Sequence, residues 1–223
     1  MIRKSIATVA AVVFLLTAGA EAQRRTTKKP PPPAPPKTEA AKVQCRESLG
    51  AGVRTQASYC FVLAGRDPAE GVLVTIPSHT GPARLTFDLH NRHTYSEEDV
   101  KSGRGFATYT AVIGVLTMKG DLLGRGAVRS EFRKAADLFE RIGGGAGPGG
   151  VKAVAPTGAE PVVFTVPQGV EEVVLTGERL SIERVGGTEE ITAPGRPYAV
   201  VSGVEIEYRP APPVPLKPKR QRR

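Results

Sequence analysis

Glycine and proline punctuate this chain so densely, at 25 and 20 of 223 residues, that no apolar pattern runs far enough to build a long helix. Proline removes a backbone donor, and glycine loses the most conformational freedom on folding. Between the breaks lie short runs rich in β-branched residues, at 55–63, 72–76, 84–90, 107–118, 122–132, 151–155, 162–166, 170–175, 180–185 and 198–208. Many short strands separated by turn residues predict a sandwich or barrel. The alternation is clearest where Leu85, Phe87 and Leu89 interleave with Arg84, Thr86, Asp88 and His90, the pattern of a half-buried strand. Lys119-Gly120-Asp121 and Thr176-Gly177-Glu178-Arg179 read as hairpin turns. Gly124 and Gly126 mark a bulge or a close backbone approach. Ala135, Leu138, Phe139 and Ile142 fall at i, i+3, i+4 and i+7, which predicts one short helix ending at Gly143.

The expected fold is therefore mainly β: an antiparallel β-sandwich, jelly-roll or immunoglobulin-like, with one short helix and flanked by disordered, basic, proline-rich tails. The expected organisation is a signal peptide at 1–22, a basic proline-rich linker at 23–42, the sandwich at 43–209 and a second basic tail at 210–223. The signal reading rests on Arg3 and Lys4, an apolar run at 6–16, and Ala20-Glu21-Ala22 before Gln23. These are the three parts of a cleavable export signal. The run is shorter than the ~20 residues of a spanning helix. The expected location is outside the cytoplasm, periplasmic or extracellular. There the isolated pair Cys45 and Cys60 should form a disulfide.

Charge is partitioned sharply. The formal net charge is +9, yet 43–209 carries 18 basic and 20 acidic residues. The excess lies in Arg24, Arg25, Lys28, Lys29, Lys37 and Lys42 at one end, and in Lys217, Lys219, Arg220, Arg222 and Arg223 at the other. Both clusters adjoin proline runs, which favour extended polyproline structure. Such ends suit an anionic envelope polymer or membrane surface. Interleaved aromatics of the kind that read nucleic acid are missing. A protein partner that adds a strand to a sheet edge is a further expectation.

The residues richest in chemistry are Asp88-Leu89-His90-Asn91-Arg92-His93-Thr94-Tyr95. Asp88, His90 and His93 offer carboxylate oxygen and imidazole nitrogen, a donor set that zinc accepts. For His93 to join, the strand must end near His90 and the chain turn back. Glu97 or Glu98 would then supply a base. Arg92 and Tyr95 are the expected ligand contacts, with Tyr95 in a polar loop. Glu97-Glu98-Asp99 offers hard oxygens for calcium. The Gly-rich segment 143–150 follows a helical pattern and precedes a strand, the reverse of a phosphate-binding loop. No G-x-S-x-G occurs. A serine or threonine could still meet His79, His90 or His93 through the fold. The leading expectation is a secreted, noncatalytic binding or structural module held by its basic tails, with no cofactor unless zinc or calcium. The alternatives are a metal-dependent hydrolase at Asp88, His90 and His93, a carbohydrate-binding jelly roll, and an accessory subunit of an envelope assembly.

Overall fold

A computed structural model of the chain describes residues 34–143 and 153–212. Among them are twelve strands: β1 (Lys37–Ala40), β2 (Lys42–Gln44), β3 (Ser48–Ala51), β4 (Ser58–Leu63), β5 (Val72–Thr75), β6 (Ala83–Tyr95), β7 (Ala107–Thr117), β8 (Leu122–Phe132), β9 (Ala153–Val166), β10 (Glu172–Arg184), β11 (Gly187–Ile191) and β12 (Pro197–Tyr208). One short helix, α1 (Glu97–Lys101), follows β6. The strands form two antiparallel sheets. The first has the order β3-β4-β12-β6-β9 with β1 also on β12, and the second β2-β5-β10-β7-β8 with β11 also on β10.

The pairing is nested. The β7–β8 hairpin lies innermost, β6 pairs with β9 around it, β5 with β10, and β4 with β12. That is one long hairpin rolled over on itself, the jelly-roll form of the sandwich. The alternation read in the sequence sets which face is buried: Leu85, Phe87 and Leu89 of β6 point between the sheets and are 0–1% exposed. They meet Ala111, Ile113 and Val115 of β7, Leu175 and Leu180 of β10 and Val201 and Ile206 of β12 in one apolar core. Burying each large aliphatic side chain stabilises the fold by about 2 kcal/mol. A second apolar cluster, Tyr59, Phe61, Leu63 and Val200, lies on the outer face of the first sheet.

On one side the sandwich is closed by contact between β8 and β9. A Cβ on Gly124 would stand 3.0 Å from the Phe164 ring, so the missing side chain admits that ring against the β8 backbone. The close approach expected at Gly124 is thus present, beside a register shift in the β7–β8 ladder between Val115 and Leu116. Opposite this, the Cys45–Cys60 disulfide joins the end of β2 in one sheet to β4 in the other, with Cα atoms 5.4 Å apart.

Several expectations are corrected. The stripe from Ala135 to Ile142 is not a helix. Only Ala135–Asp137 forms a 3-10 turn. The Asp137 carboxylate accepts from the Arg133 and Lys134 amides at 2.8 and 2.9 Å, and the chain then runs extended. Phe139 N–H donates to Pro156 O, and Arg141 O accepts from Val53 N–H, both at 2.9 Å. β9 and the turn after β3 therefore satisfy backbone groups that a helix would have satisfied internally. The helix lies instead at α1, where Ser96 caps the N-terminus and three acidic residues occupy the first turn. Residues 176–179 are no hairpin turn but a bulge inside β10, between Gly177 and Arg179. Gly177 carries the bulge because a Cβ there would lie 2.9 Å from Tyr198.

Order also begins before residue 43. β1 pairs with the end of β12 in the register Lys37↔Tyr208 to Ala40↔Glu205, and β2 pairs with β5. Lys37 forms an ion pair with Glu39 and belongs to the sandwich rather than to a tail. After β12 the chain stays pinned, with Thr80 N–H on Arg209 O at 2.8 Å and Ala211 N–H on Ser78 O at 3.1 Å. The remaining proline-rich and basic stretches lie outside the described residues, as does the expected signal.

Closing a loop of separation 15 is worth about 3 kcal/mol in the chain-entropy account. The double variant Cys45→Ala Cys60→Ala should lose about that much stability in urea unfolding while keeping the β-rich circular dichroism of the parent. Equal stability of parent and variant would show that the bridge is dispensable.

Candidate functional site

β6 runs on through Tyr95, so the whole polar stretch from Asp88 to Tyr95 is strand rather than strand and loop. Side chains alternate faces along a strand, and this separates the expected ligands. Asp88, His90 and Arg92 take the outer face of the first sheet. Asn91, His93 and Tyr95 take the face between the sheets. His90 and His93 consequently point away from each other. Among the described residues no three His, Cys, Asp or Glu side chains gather at metal-binding spacing.

His90 is fully buried. Its Nδ1 lies 2.7 Å from Gly158 O and its Nε2 2.9 Å from Ser202 Oγ. A carbonyl can only accept, so Nδ1 carries the proton and donates, and Nε2 accepts from the Ser202 hydroxyl. Burial lowers the His90 pKa against the opposing pull of Gly158 O and Asp88, which favours this neutral form. The ring sits between Phe139, with centroids 4.6 Å apart, and Tyr59, at 5.6 Å. Beside it, Tyr59 Oη donates to Glu140 Oε2 at 3.3 Å. Glu140 also accepts from Arg54 N–H at 2.5 Å, Thr55 N–H at 3.2 Å and the Thr55 hydroxyl. Burial tends to raise the Glu140 carboxyl, but the Thr55 hydroxyl and these amides outweigh it and hold the pKa below its ordinary value.

A serine hydroxyl on a neutral imidazole whose other nitrogen is fixed is the local geometry of an activated nucleophile. Here Ser202 is 4% exposed and His90 0%, both beneath Phe139 and Tyr59. The arrangement joins β4, β6, β12 and the 138–142 segment through satisfied polar contacts, and a substrate has no approach to it. Neither Ser202 nor Glu140 is marked by the sequence. Ser202 reaches Asp88 and His90 only through the β6–β12 register, and Glu140 falls within the stripe whose spacing predicts a helix.

On the inner face, His93 stacks on Phe132 with centroids 3.6 Å apart, and its Nδ1 is 2.7 Å from the Tyr109 hydroxyl. Burial, aided by Arg184, lowers its pKa to about 4 against the pull of Asp99. Asn91 Nδ2 donates to Ser130 Oγ at 2.9 Å and to the Val128 carbonyl at 3.3 Å. Its buried Oδ1 has no partner among the described residues. Tyr95 packs edge-on to Phe132 at 6.1 Å, as part of the core margin rather than of a polar loop. It does not meet Arg92, which is half-buried on the opposite face.

Glu97, Glu98 and Asp99, the expected calcium ligands, form the first turn of α1. Glu97 pairs with Lys101 at 3.8 Å, and Glu98 and Asp99 with Arg104 at 3.7 and 3.3 Å. Acidic groups at a helix N-terminus are also stabilised by the helix dipole. The cationic candidates Arg24, Arg25, Lys28, Lys29, Lys217, Lys219, Arg220, Arg222 and Arg223 lie outside the described residues.

No protein-family model matches the chain, and comparison with curated proteins finds no match. Among solved structures it is similar to the catalytic domain of a GH87 alpha-1,3-glucanase, at 11% identity over 82% of this chain and 27% of that one, with a TM-score of 0.30. It is also similar to the infectious bursal disease virus VP2 subviral particle, at 10% identity over 79% and 33%, with a TM-score of 0.27. The chain thus spans a third or less of either structure, and likeness this low carries no argument about its activity.

The buried imidazoles of His90 and His93 make a pH prediction. His93 has a folded pKa of about 4 against an ordinary 6.5, so the unfolded chain takes up its proton first as pH falls. The stabilisation from the neutral ring is complete above 6.5 and declines toward 4, by about 3 kcal/mol over the full window. His90 acts in the same direction. The lowered Glu140 carboxyl loses its contribution only below its ordinary 4.5. Urea midpoints should therefore fall between pH 6.5 and 4.5, and His93→Gln should flatten that slope. A pH-independent midpoint across this range would contradict the buried-histidine account.

Proposed function

We propose that this protein is an exported binding or structural module whose two basic arms hold the sandwich to an anionic envelope surface. The observation that supports this most directly is the register Lys37↔Tyr208. Because β1 and β12 are antiparallel, the chain before Lys37 and the chain after Tyr208 are attached at the same end of the sandwich. Lys28 and Lys29 precede that end closely, and Lys217, Lys219 and Arg220 follow it closely. Two cationic segments tethered at one point can engage one surface together, and the second contact is then effectively intramolecular.

The near-neutral composition of 43–209 fits a body that is presented rather than one that adheres by itself. The Cys45–Cys60 bridge is consistent with an oxidising compartment. Extended polyproline segments would keep the body a short distance from the surface.

The test is sedimentation with vesicles, comparing anionic phosphatidylglycerol with neutral phosphatidylcholine. The protein secreted from the full chain should bind the anionic vesicles, and the binding should weaken steeply with salt. Replacing the basic residues of either arm with Gln should cost on the order of 10²-fold in affinity, because avidity is lost. Replacing both sets should leave the level seen with neutral vesicles. Undiminished binding by the doubly substituted protein would overturn the proposal.

A further inference from the structure

We propose that the C-terminal arm seats Val214 and Leu216 in a cleft of the second sheet, so that the chain occupies its own binding groove. The cleft has a volume of about 740 Å³ and lies where β5, β10 and β7 end beside the arm attachment. Its apolar lining is Ile76, Pro77, Met118 and Val170. Ile76 belongs to the buried core, whereas Met118 is 46% exposed. Asp121, Glu171 and Glu172 also line the cleft, against Lys119 as the cation. Among the described residues none of these three carboxylates has a base within ion-pair distance.

The occupant follows from where the described chain ends. Ala211 N–H donates to Ser78 O at 3.1 Å, and Pro210 bridges to His79. Residues 209–211 thus run antiparallel to 80–78, and Ser78 itself lines the cleft. The same direction carries the next residues along Pro77 and Ile76. Pro212, Pro213 and Pro215 have no N–H to extend the ladder, so side chains must hold the arm from there on. Proline runs favour extension at about 3.1 Å per residue, which puts Val214 about 9 Å and Leu216 about 16 Å past Ala211. Crossing from β5 over β10 to β7 takes two strand spacings, about 10 Å. The arm is therefore long enough to reach Val170 and Met118.

The arm also complements the lining. After Tyr208, Val214 and Leu216 are the only Val, Leu, Ile, Met or aromatic residues, and Lys217, Lys219 and Arg220 follow them. An apolar pair trailed by cations fits an apolar floor bordered by carboxylates. Residues 23–36 hold no comparable side chain, and Pro36 lines a different cleft with Arg84 and Val163 of the first sheet. The C-terminal arm is the better match. Its prolines stiffen it in advance, so that seating costs little further ordering.

The inference does not require the arms to bind a surface, and its test uses no lipid. Methyl NMR would be recorded on the full-chain protein as secreted, labelled at methionine, valine and leucine. Met1 is the only other methionine, which makes the Met118 methyl resonance simple to assign. Cross-peaks are expected between Met118 and the methyl groups of Val214 or Leu216. Val214→Ser Leu216→Ser leaves every residue of the sandwich intact. It should abolish these cross-peaks and speed tryptic cleavage after Lys219 and Arg220 by about tenfold, because cleavage tracks the unseated fraction. Glu171→Gln Glu172→Gln should speed cleavage by a smaller factor, and an unchanged rate would remove the electrostatic half of the match. Three results would overturn the seat: no cross-peak from Met118 to either residue, equal cleavage of the parent and the serine variant, or cross-peaks that appear only as protein concentration rises. The last would assign the cleft to the arm of a second copy.

Discussion

Strand β12 is hydrogen-bonded to β6 along one side and, along the other, to β4 over its first half and β1 over its last. Every element of the first sheet except its outermost strands touches it. Its partners are far away in sequence, so the sheet cannot be completed until the last of its strands arrives. The β7–β8 pairing is local in sequence, and each further layer of the roll closes a longer loop. Such topologies fold slowly, because loop entropy is lost before the long-range contacts form. The Cys45–Cys60 bridge ties the end of β2 in one sheet to β4 in the other across a separation of only 15 residues, a short loop beside the one that β1 and β12 close.

The polar middle of β6 shows how the fold uses residues that look like a site. A strand with both faces covered must satisfy every polar group it carries. His90 does so with Gly158 O and Ser202, and Asn91 does so through its amide nitrogen, with Ser130 and two carbonyls of the other sheet, while its Oδ1 has no partner among the described residues. His93 bonds to Tyr109. These contacts fix the register at the bulge between Leu89 and Asn91, where apolar packing would tolerate a slip.

Much of the architecture was legible in the sequence. Alternation at residues 84–90 placed the right side chains in the core, and Gly124 marked a real close approach. The misreadings share a cause. A single chain records what each residue prefers locally but not which strand it will lie beside. The stripe through Leu138, Phe139 and Ile142 fits a helix and equally fits an extended strap whose apolar side chains rest on a sheet. Thr176 to Arg179 carries turn chemistry, yet Tyr198 packs onto Gly177 and the strand continues. The short strands β1 and β11 are too polar to announce themselves and exist because β12 and β10 present open edges. For the same reason Asp88, His90 and His93 looked like neighbours. Sequence distance put them together, and the two-residue pleat put His93 on the opposite side of the sheet from Asp88 and His90.

The attachment of both chain ends at Lys37 and Tyr208 has a mechanical corollary. Tension applied between the ends loads the β1–β12 ladder at its open mouth, where bonds break singly and in succession, as in a zipper. Drag on the body against a common anchorage instead pulls both strands lengthwise, and whole ladders must shear together. The same join is thus weak to being spread and strong to being tugged.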